Sequence, residues 1–248
     1  MDEIHIALSA EKITEFWGLP ITNTLLTSWV VVILLIGGAF LIRKNLKLVP
    51  GKFQALVEAL FTTIMDYMEE ALESKELTKR FFPLIATIFL FIFISNMVEF
   101  IPGIGSIGFF GVHNGAEEFT PLLRSVNTDL NVTLALAIIS FVVIEISGVF
   151  IIGFLKYFSK FVNFKSVLGF IIGIIELFSE IARLIAFSFR LFGNIFAGEV
   201  LILVIIYFVP YILPVPLMLF EVFVGFIQAA IFSLLTLFFI KIAITEPH

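Results

Sequence analysis

The sequence predicts an all-α, polytopic membrane protein with about five membrane segments, the last two forming a long, strongly tilted helical hairpin. Three observations predict it. Of 248 residues, 60% are hydrophobic and only 14% charged, with a mean hydropathy of +1.13. A soluble domain is about 45–50% apolar and about 25% charged, so one water-facing core cannot hide this much apolar surface. The apolar residues come in runs long enough to span about 30 Å of hydrocarbon. The basic residues between the runs alternate between rich and poor loops, as membrane topology demands. The same composition excludes other classes. Without cysteine there is no disulfide, thiolate metal site or thiol catalysis. A net charge of −5 and the lack of a long basic run argue against nucleic acid. The three histidines, at 5, 113 and 248, are too scattered in sequence for a His-based metal centre.

Residues 1–248 read as a single membrane domain. Residues 1–21 form an external segment, mainly acidic in Asp2, Glu3, Glu11 and Glu15 against Lys12. That charge is wrong for the n-region of a signal peptide, so the uncharged run that follows is a retained first span, 22–42. The loop 43–80 carries Arg43, Lys44, Lys47, Lys52, Lys75, Lys79 and Arg80. Within it, Phe53, Leu56, Val57, Leu60, Phe61, Ile64, Met68 and Leu72 repeat at helical spacing, which predicts an amphipathic helix over 52–73. Its polar face is acidic (Glu58, Asp66, Glu69, Glu73), so a partner subunit's helix suits it better than anionic lipid; packing on its own chain is the competing reading.

Span 2 is 81–101, broken only by Glu99, and span 3 is 130–155, with Glu145 inside it. The Gly-rich loop between them, 102–129, holds only Arg124 as a basic residue, whereas Lys156, Lys160 and Lys165 follow span 3. The basic loops are cytoplasmic, which puts the N-terminus outside; Lys241 places the C-terminus inside. The hairpin segments are 167–209 and 217–241, turned by Pro210, Pro214 and Pro216. The first of them is about 65 Å long if helical, twice the hydrocarbon thickness, so it must tilt, bend or lie partly in the membrane plane.

That segment carries the chemistry. Glu176, Glu180, Arg183, Arg190 and Asn194 fall within about 80° on a helical wheel, while Glu199 lies about 140° away. An intramembrane charge costs about 2.5–3.5 kcal/mol on insertion scales, so such groups face protein or water and mark ion paths. Glu180 and Arg183 can neutralise each other one turn apart, with Glu176 on the same face. Arg190 has no such neighbour: positions 186, 187, 193 and 194 are Ala, Phe, Gly and Asn. On the last helix Glu221 and Gln228 share a face; Glu221 could be a buried, protonated group, could pair across the hairpin with a residue of 167–209, or, being close to the turn, could be a wet helix end. Glu99, Arg124 and Asp129 read most simply as interfacial charge. Glu145, in mid-span, needs a buried partner or a proton, and nothing in the sequence names the partner.

The run Ser188-Phe189-Arg190-Leu191-Phe192-Gly193-Asn194-Ile195-Phe196-Ala197-Gly198-Glu199 resembles the signature of subunit a of F-type ATP synthases. Supporting runs are Phe82-Pro83-Leu84, Ser95 through Pro102, Asp129 through Thr133, and Ile227 through Phe232. The resemblance implies a non-catalytic stator subunit without a cofactor, in contact with the lipid bilayer, the c-ring and the peripheral stalk (subunit b). It implies that Arg190 faces the rotor carboxylate, that Asn194 and Glu199 line a half-channel open to the outside, and that Gln228 sits opposite the arginine. It also implies an inner-side role for Glu176 and outer-side polar roles for Asn96 and Glu99. The translocated ion is H⁺, with Na⁺ as the other candidate, in a bacterial plasma membrane ahead of an organelle. One departure stands out: family members often pair an acid with a His where this chain has Glu199 and Glu221, two carboxylates expected to share a proton. Glu145 matches no family pattern. The competing function is a stand-alone secondary cation/proton transporter; the expected inverted repeat or broken-helix pair is not seen. An intramembrane hydrolase lacks a Ser-His or paired-Asp arrangement at matching depth.

Overall fold

The computed structural model describes residues 10–101, 104–113, 116–161 and 167–245. Residues 1–9, which the sequence reading placed outside the membrane, parts of the 102–129 loop, and Lys165 lie outside the described residues. The chain runs β1 (Lys12–Phe16), β2 (Leu19–Thr22), α1 (Asn23–Lys44), α2 (Lys52–Leu72), α3 (Lys75–Val98), β3 (Gly108–His113), β4 (Ala116–Pro121), α4 (Leu130–Ile152), α5 (Phe154–Phe158), α6 (Val167–Phe208) and α7 (Pro214–Ile244). Five of these helices, α1, α3, α4, α6 and α7, are long and apolar enough to cross a membrane.

Local chemistry sets the helix ends. Thr22, Ser74 and Asp129 cap α1, α3 and α4 by accepting from the backbone N–H groups of Leu25, Leu77 and Asn131, which would otherwise be orphaned. Gly153, at φ +96°, ends α4 and turns the chain into α5. Pro214 opens α7 at its first position, where no N–H is missed.

The two small hairpins go beyond the all-α expectation. β1 and β2 pair antiparallel around Trp17-Gly18, both at positive φ, as a two-residue hairpin turn requires. β3 and β4 pair from Gly108↔Pro121 to His113↔Ala116, inside the loop that carried no periodic signal. Both are short, and the first merges into the apolar run of α1, which hides its alternation.

Packing is uneven. α3 and α7 form the most extensive helix pair, α4 packs on both α6 and α7, and α2 lies along α3. One core layer joins Met68 and Leu72 of α2 to Phe81, Ile85, Ile144, Leu237 and Ile240. A second joins Ile88, Phe89, Ile92 and Ala137 to Phe187, Leu191, Ile195, Ala229 and Phe232. Half of the apolar window of α3 is buried inside the protein, against 11% for α1 and 22% for α6. The outward sides of α1 and α6 are therefore built for an apolar surrounding rather than for water. α2 divides: its second half packs on its own chain, whereas Phe53 and Leu56 stay exposed.

Candidate functional site

The α6–α7 hairpin sets the register of the site. Phe187 meets Phe232 edge to face, ring centroids 4.9 Å apart. Eleven residues further along α6, Gly198 meets Glu221; a Cβ at 198 would fall on the Glu221 carboxylate. Between those two anchors the antiparallel count places Gln228 level with Leu191, beside Arg190. Gln228 is buried.

Arg190 and Asn194 lie on the exposed side of α6, whose buried side is Phe187, Ser188, Leu191 and Ile195. The Arg190 guanidinium lies 6.0 Å from the centroid of the Phe187 ring on its own helix. Among the described residues no carboxylate pairs with it. Ser188, fully buried, meets Thr133 of α4 at 3.2 Å and holds this stretch of α6 against the bundle.

On one side of Arg190 a polar cluster forms from α3, the turn at 124–128, α6 and α7. Arg124 Nη2 donates to Glu199 Oε2 at 3.2 Å, with the two side chains 10% and 20% exposed. Glu99 feels the charges of Glu199, Glu221 and Arg124. Asn127 Nδ2 donates to Asn96 Oδ1 at 2.7 Å, and Asn96 Nδ2 donates to the Gly225 carbonyl at 3.0 Å. The lack of a side chain at Gly225 lets α3 come this close: a Cβ there would stand 3.0 Å from that of Asn96. Ser95 Oγ, Asn127 Oδ1 and Glu221 Oε1 are buried with no partner among the described residues. Such atoms mark places where water is needed to complete hydrogen bonding.

On the other side of Arg190, Lys160 reaches Glu176 at 2.7 Å and Glu180 at 3.2 Å, while Arg183 binds Glu180 at 2.9 Å and approaches Glu176 at 3.8 Å. Arg183 also stacks on Phe239 of α7, 4.7 Å from the ring centroid. Glu145 finds a partner here after all: Tyr157 of α5 donates its hydroxyl to Oε2 at 3.0 Å.

The site differs from the sequence expectation in four places. The polar stripe of α6 divides, with Glu176, Glu180 and Arg183 turned towards Lys160 while Arg190 and Asn194 face outward. Of the readings open for Glu221, the wet helix end is the one set aside: it is 6% exposed and packed across the hairpin over Gly198. Arg124 and Asp129 are not bare surface charges: Arg124 is half-buried and holds Glu199, and Asp129 is buried, caps α4 and accepts from Thr24 Oγ1 at 2.8 Å. Glu199, expected to share a proton with Glu221, is paired with the Arg124 guanidinium. Asn127 and Tyr157 carried no signal in the sequence, and Lys160 only a topological one, because their partners lie on other elements.

Residues 25–241 match the family model described as ATP synthase A chain. The chain belongs to that family. Relatives include "ATP synthase subunit a 1" of Syntrophotalea carbinolica, 36% identical over 89% of this chain and 85% of the relative. "ATP synthase subunit a 2" of the same organism is 33% identical over 99% of this chain and 94% of its own. "ATP synthase subunit a" of Moorella thermoacetica is 31% identical over 92% and 94%. For an ATP synthase A chain, five apolar helices make a multi-pass membrane protein.

Proposed function

We propose that this chain is the stator ion-channel subunit of a bacterial ATP synthase, working with a c-ring and a peripheral stalk, and that Arg190 is its fixed charge. The observation that carries the reading is Arg190 itself: a guanidinium on the exposed side of an apolar helix, with no carboxylate among the described residues to neutralise it. Such a charge is too costly to leave facing hydrocarbon, so its counterion comes from outside the chain. A rotor carboxylate supplies one. Arginine suits the task because it stays protonated at any working pH, whereas a lysine could lose its proton when desolvated.

The two polar clusters then act as offset half-channels. The cluster of Asn96, Glu99, Arg124, Asn127, Glu199 and Glu221 opens to the outside, and the one around Lys160, Glu176 and Glu180 opens to the cytoplasm. This orientation follows the basic loops, with the N-terminus outside and the C-terminus in the cytoplasm. Arg190 repels a cation that tries to pass straight from one half to the other. The ion, H⁺ rather than Na⁺, must ride the rotor, and each charge crossing 100 mV delivers about 2.3 kcal/mol to rotation.

The test is ATP-driven acidification of inverted vesicles carrying Arg190→Lys, with assembly checked by pull-down of the c-ring. Pumping is expected to fall by at least about tenfold with assembly intact, a loss of about 1.4 kcal/mol or more in barrier terms. Pumping near the wild-type rate refutes the role given to Arg190. A chain that transports cations when purified alone would favour the secondary-transporter reading instead.

A further inference from the structure

Glu145 is the one charged residue of α4 that the half-channel reading leaves unused, and several features of the fold converge on it. Gly153, at φ +96°, reverses the chain after α4 so that α5 returns along it. Gly148 opens the slot into which α5 sends its tyrosine: a Cβ at 148 would run into the Tyr157 ring and come within 2.9 Å of the Ala243 carbonyl of α7. Tyr157 fills that slot, 2% exposed, with Phe161 edge-on at 5.8 Å. Its hydroxyl emerges one turn back along α4, on Glu145 Oε2 at 3.0 Å. Two glycines and a buried ring thus present one phenol to one carboxyl.

The charges nearby do not need Glu145. Lys160 and Arg183 are matched by Glu176 and Glu180, to which both are paired. The groups that act on Glu145 are Tyr157, Glu180, Lys160 and Arg183. None of the cations lies within ion-pair distance of it among the described residues, and its second oxygen, Oε1, is buried without a partner. Glu145 is therefore the surplus carboxyl of a balanced cluster. Ionised, it leaves one negative charge unpaired; protonated, it leaves none. Next to it a cleft between α4, α6 and α7 runs from Glu180 and Arg183 past Ser140 to Phe187. Ser140 Oγ is buried there with no partner among the described residues, and Phe187 is three residues short of Arg190.

We propose that Glu145 is a proton-carrying group of the inner half-channel, positioned by Tyr157. Oε1 takes a proton from hydronium arriving at the Lys160–Glu176 end, leaving water, and passes that proton on to water in the cleft. The phenol keeps its own proton and holds the carboxyl in place. This inference rests on the stator reading given above.

The experiment uses the whole ATP synthase in inverted vesicles, where the inner half-channel faces the assay medium, with that medium varied in pH. Glu145→Gln keeps the volume and still accepts the tyrosine hydrogen bond, so a structural role survives it and a proton-carrying role does not. The expected result is an intact c-ring pull-down and unchanged ATP hydrolysis in detergent, with ATP-driven acidification slowed by roughly threefold to tenfold, a modest share of the usual worth of a positioned acid–base group. The slowing grows as the medium becomes alkaline and protons are scarce. Glu145→Asp restores most of the rate, and Tyr157→Phe lowers it less than Glu145→Gln does. Wild-type pumping by Glu145→Gln at every pH overturns the proposal, as does an equal loss in the Gln and Asp variants. Arg190→Lys in the same vesicles separates the two failures: if it abolishes pumping while Glu145→Gln is silent, only this inference falls; if it too is silent, the stator reading falls first.

Discussion

The two polar clusters on either side of Arg190 are built in opposite ways. The Lys160–Glu176–Glu180–Arg183 group is largely local: three of its four members are on α6, within two turns, and its charges cancel. The Arg124–Glu199 group is assembled from α3, the 124–128 turn, α6 and α7, and it brings Glu99 and Glu221 beside the Arg124–Glu199 pair. A locally neutralised group tolerates loss of one member because a second partner stands by. A group assembled from distant elements does not, because each side chain is held by a different part of the fold and removing one leaves another buried and uncompensated.

The comparison is broken most severely at Gly198. A Gly198→Val substitution puts branched carbon where the Glu221 carboxyl lies, so either Glu221 or the α6–α7 spacing must move. The expected outcome is loss of ATP-driven pumping by at least about tenfold, equivalent to about 1.4 kcal/mol, with Gly198→Ala the milder of the two. Retained pumping in the valine variant would mean that Glu221 can leave its place without cost. Next in size come Arg124→Gln and Lys160→Gln measured side by side. Arg124→Gln strands Glu199, and the complex is expected to lose up to about 3 kcal/mol of stability, the low end for breaking a buried pair because both side chains keep some exposure. Lys160→Gln leaves Arg183 in place on Glu180 and is expected to cost no more than about 1 kcal/mol. Thermal unfolding of the assembled membrane sector decides; equal losses would erase the contrast between the clusters.

The smallest effect belongs to an ion pair outside both. Lys241 donates to Glu73 at 2.8 Å and holds that carboxyl below the usual glutamate range. A lowered folded-state value contributes stability above the unfolded glutamate pKa and loses it as pH falls through the folded one. Because Glu73 is fully exposed to solvent, Lys241→Ala is expected to leave both pumping and melting at neutral pH unchanged, and a measurable shift would show that the pair ties α7 to α2 more firmly than an exposed ion pair should.

The same contrast explains what could be read in advance. The helices of the membrane part are legible because a span must be a long uncharged run, and a wheel drawn on α6 finds Glu176, Glu180 and Arg183 together because they are neighbours along one helix. Arg190 is legible for the opposite reason: no residue one turn away can neutralise it. Asn127, Tyr157 and the Arg124 partnership with Glu199 are not legible, since each depends on which elements come together rather than on spacing within one. The wheel also treats α6 as standing alone and cannot tell which edge of its stripe turns inward. Packing against Lys160 on one side and exposure on the other divide it between Arg183 and Arg190.

One further consequence belongs to α1. Its buried residues, Asn23, Thr24, Thr27 and Val31, all lie in its first nine positions, and the rest of the helix touches little of the protein. Its foot is latched by polar bonds, Thr24 to Asp129 and Thr27 to the backbone N–H of Arg124. A helix fastened this way needs nothing from its neighbours to enter lipid, where its own backbone is already satisfied. Its docking is a separate, later event that waits for the segment at 124–129 to be in place. The lock on α1 is thus confined to its first nine residues, and it closes only once a segment a hundred residues further along the chain is in place.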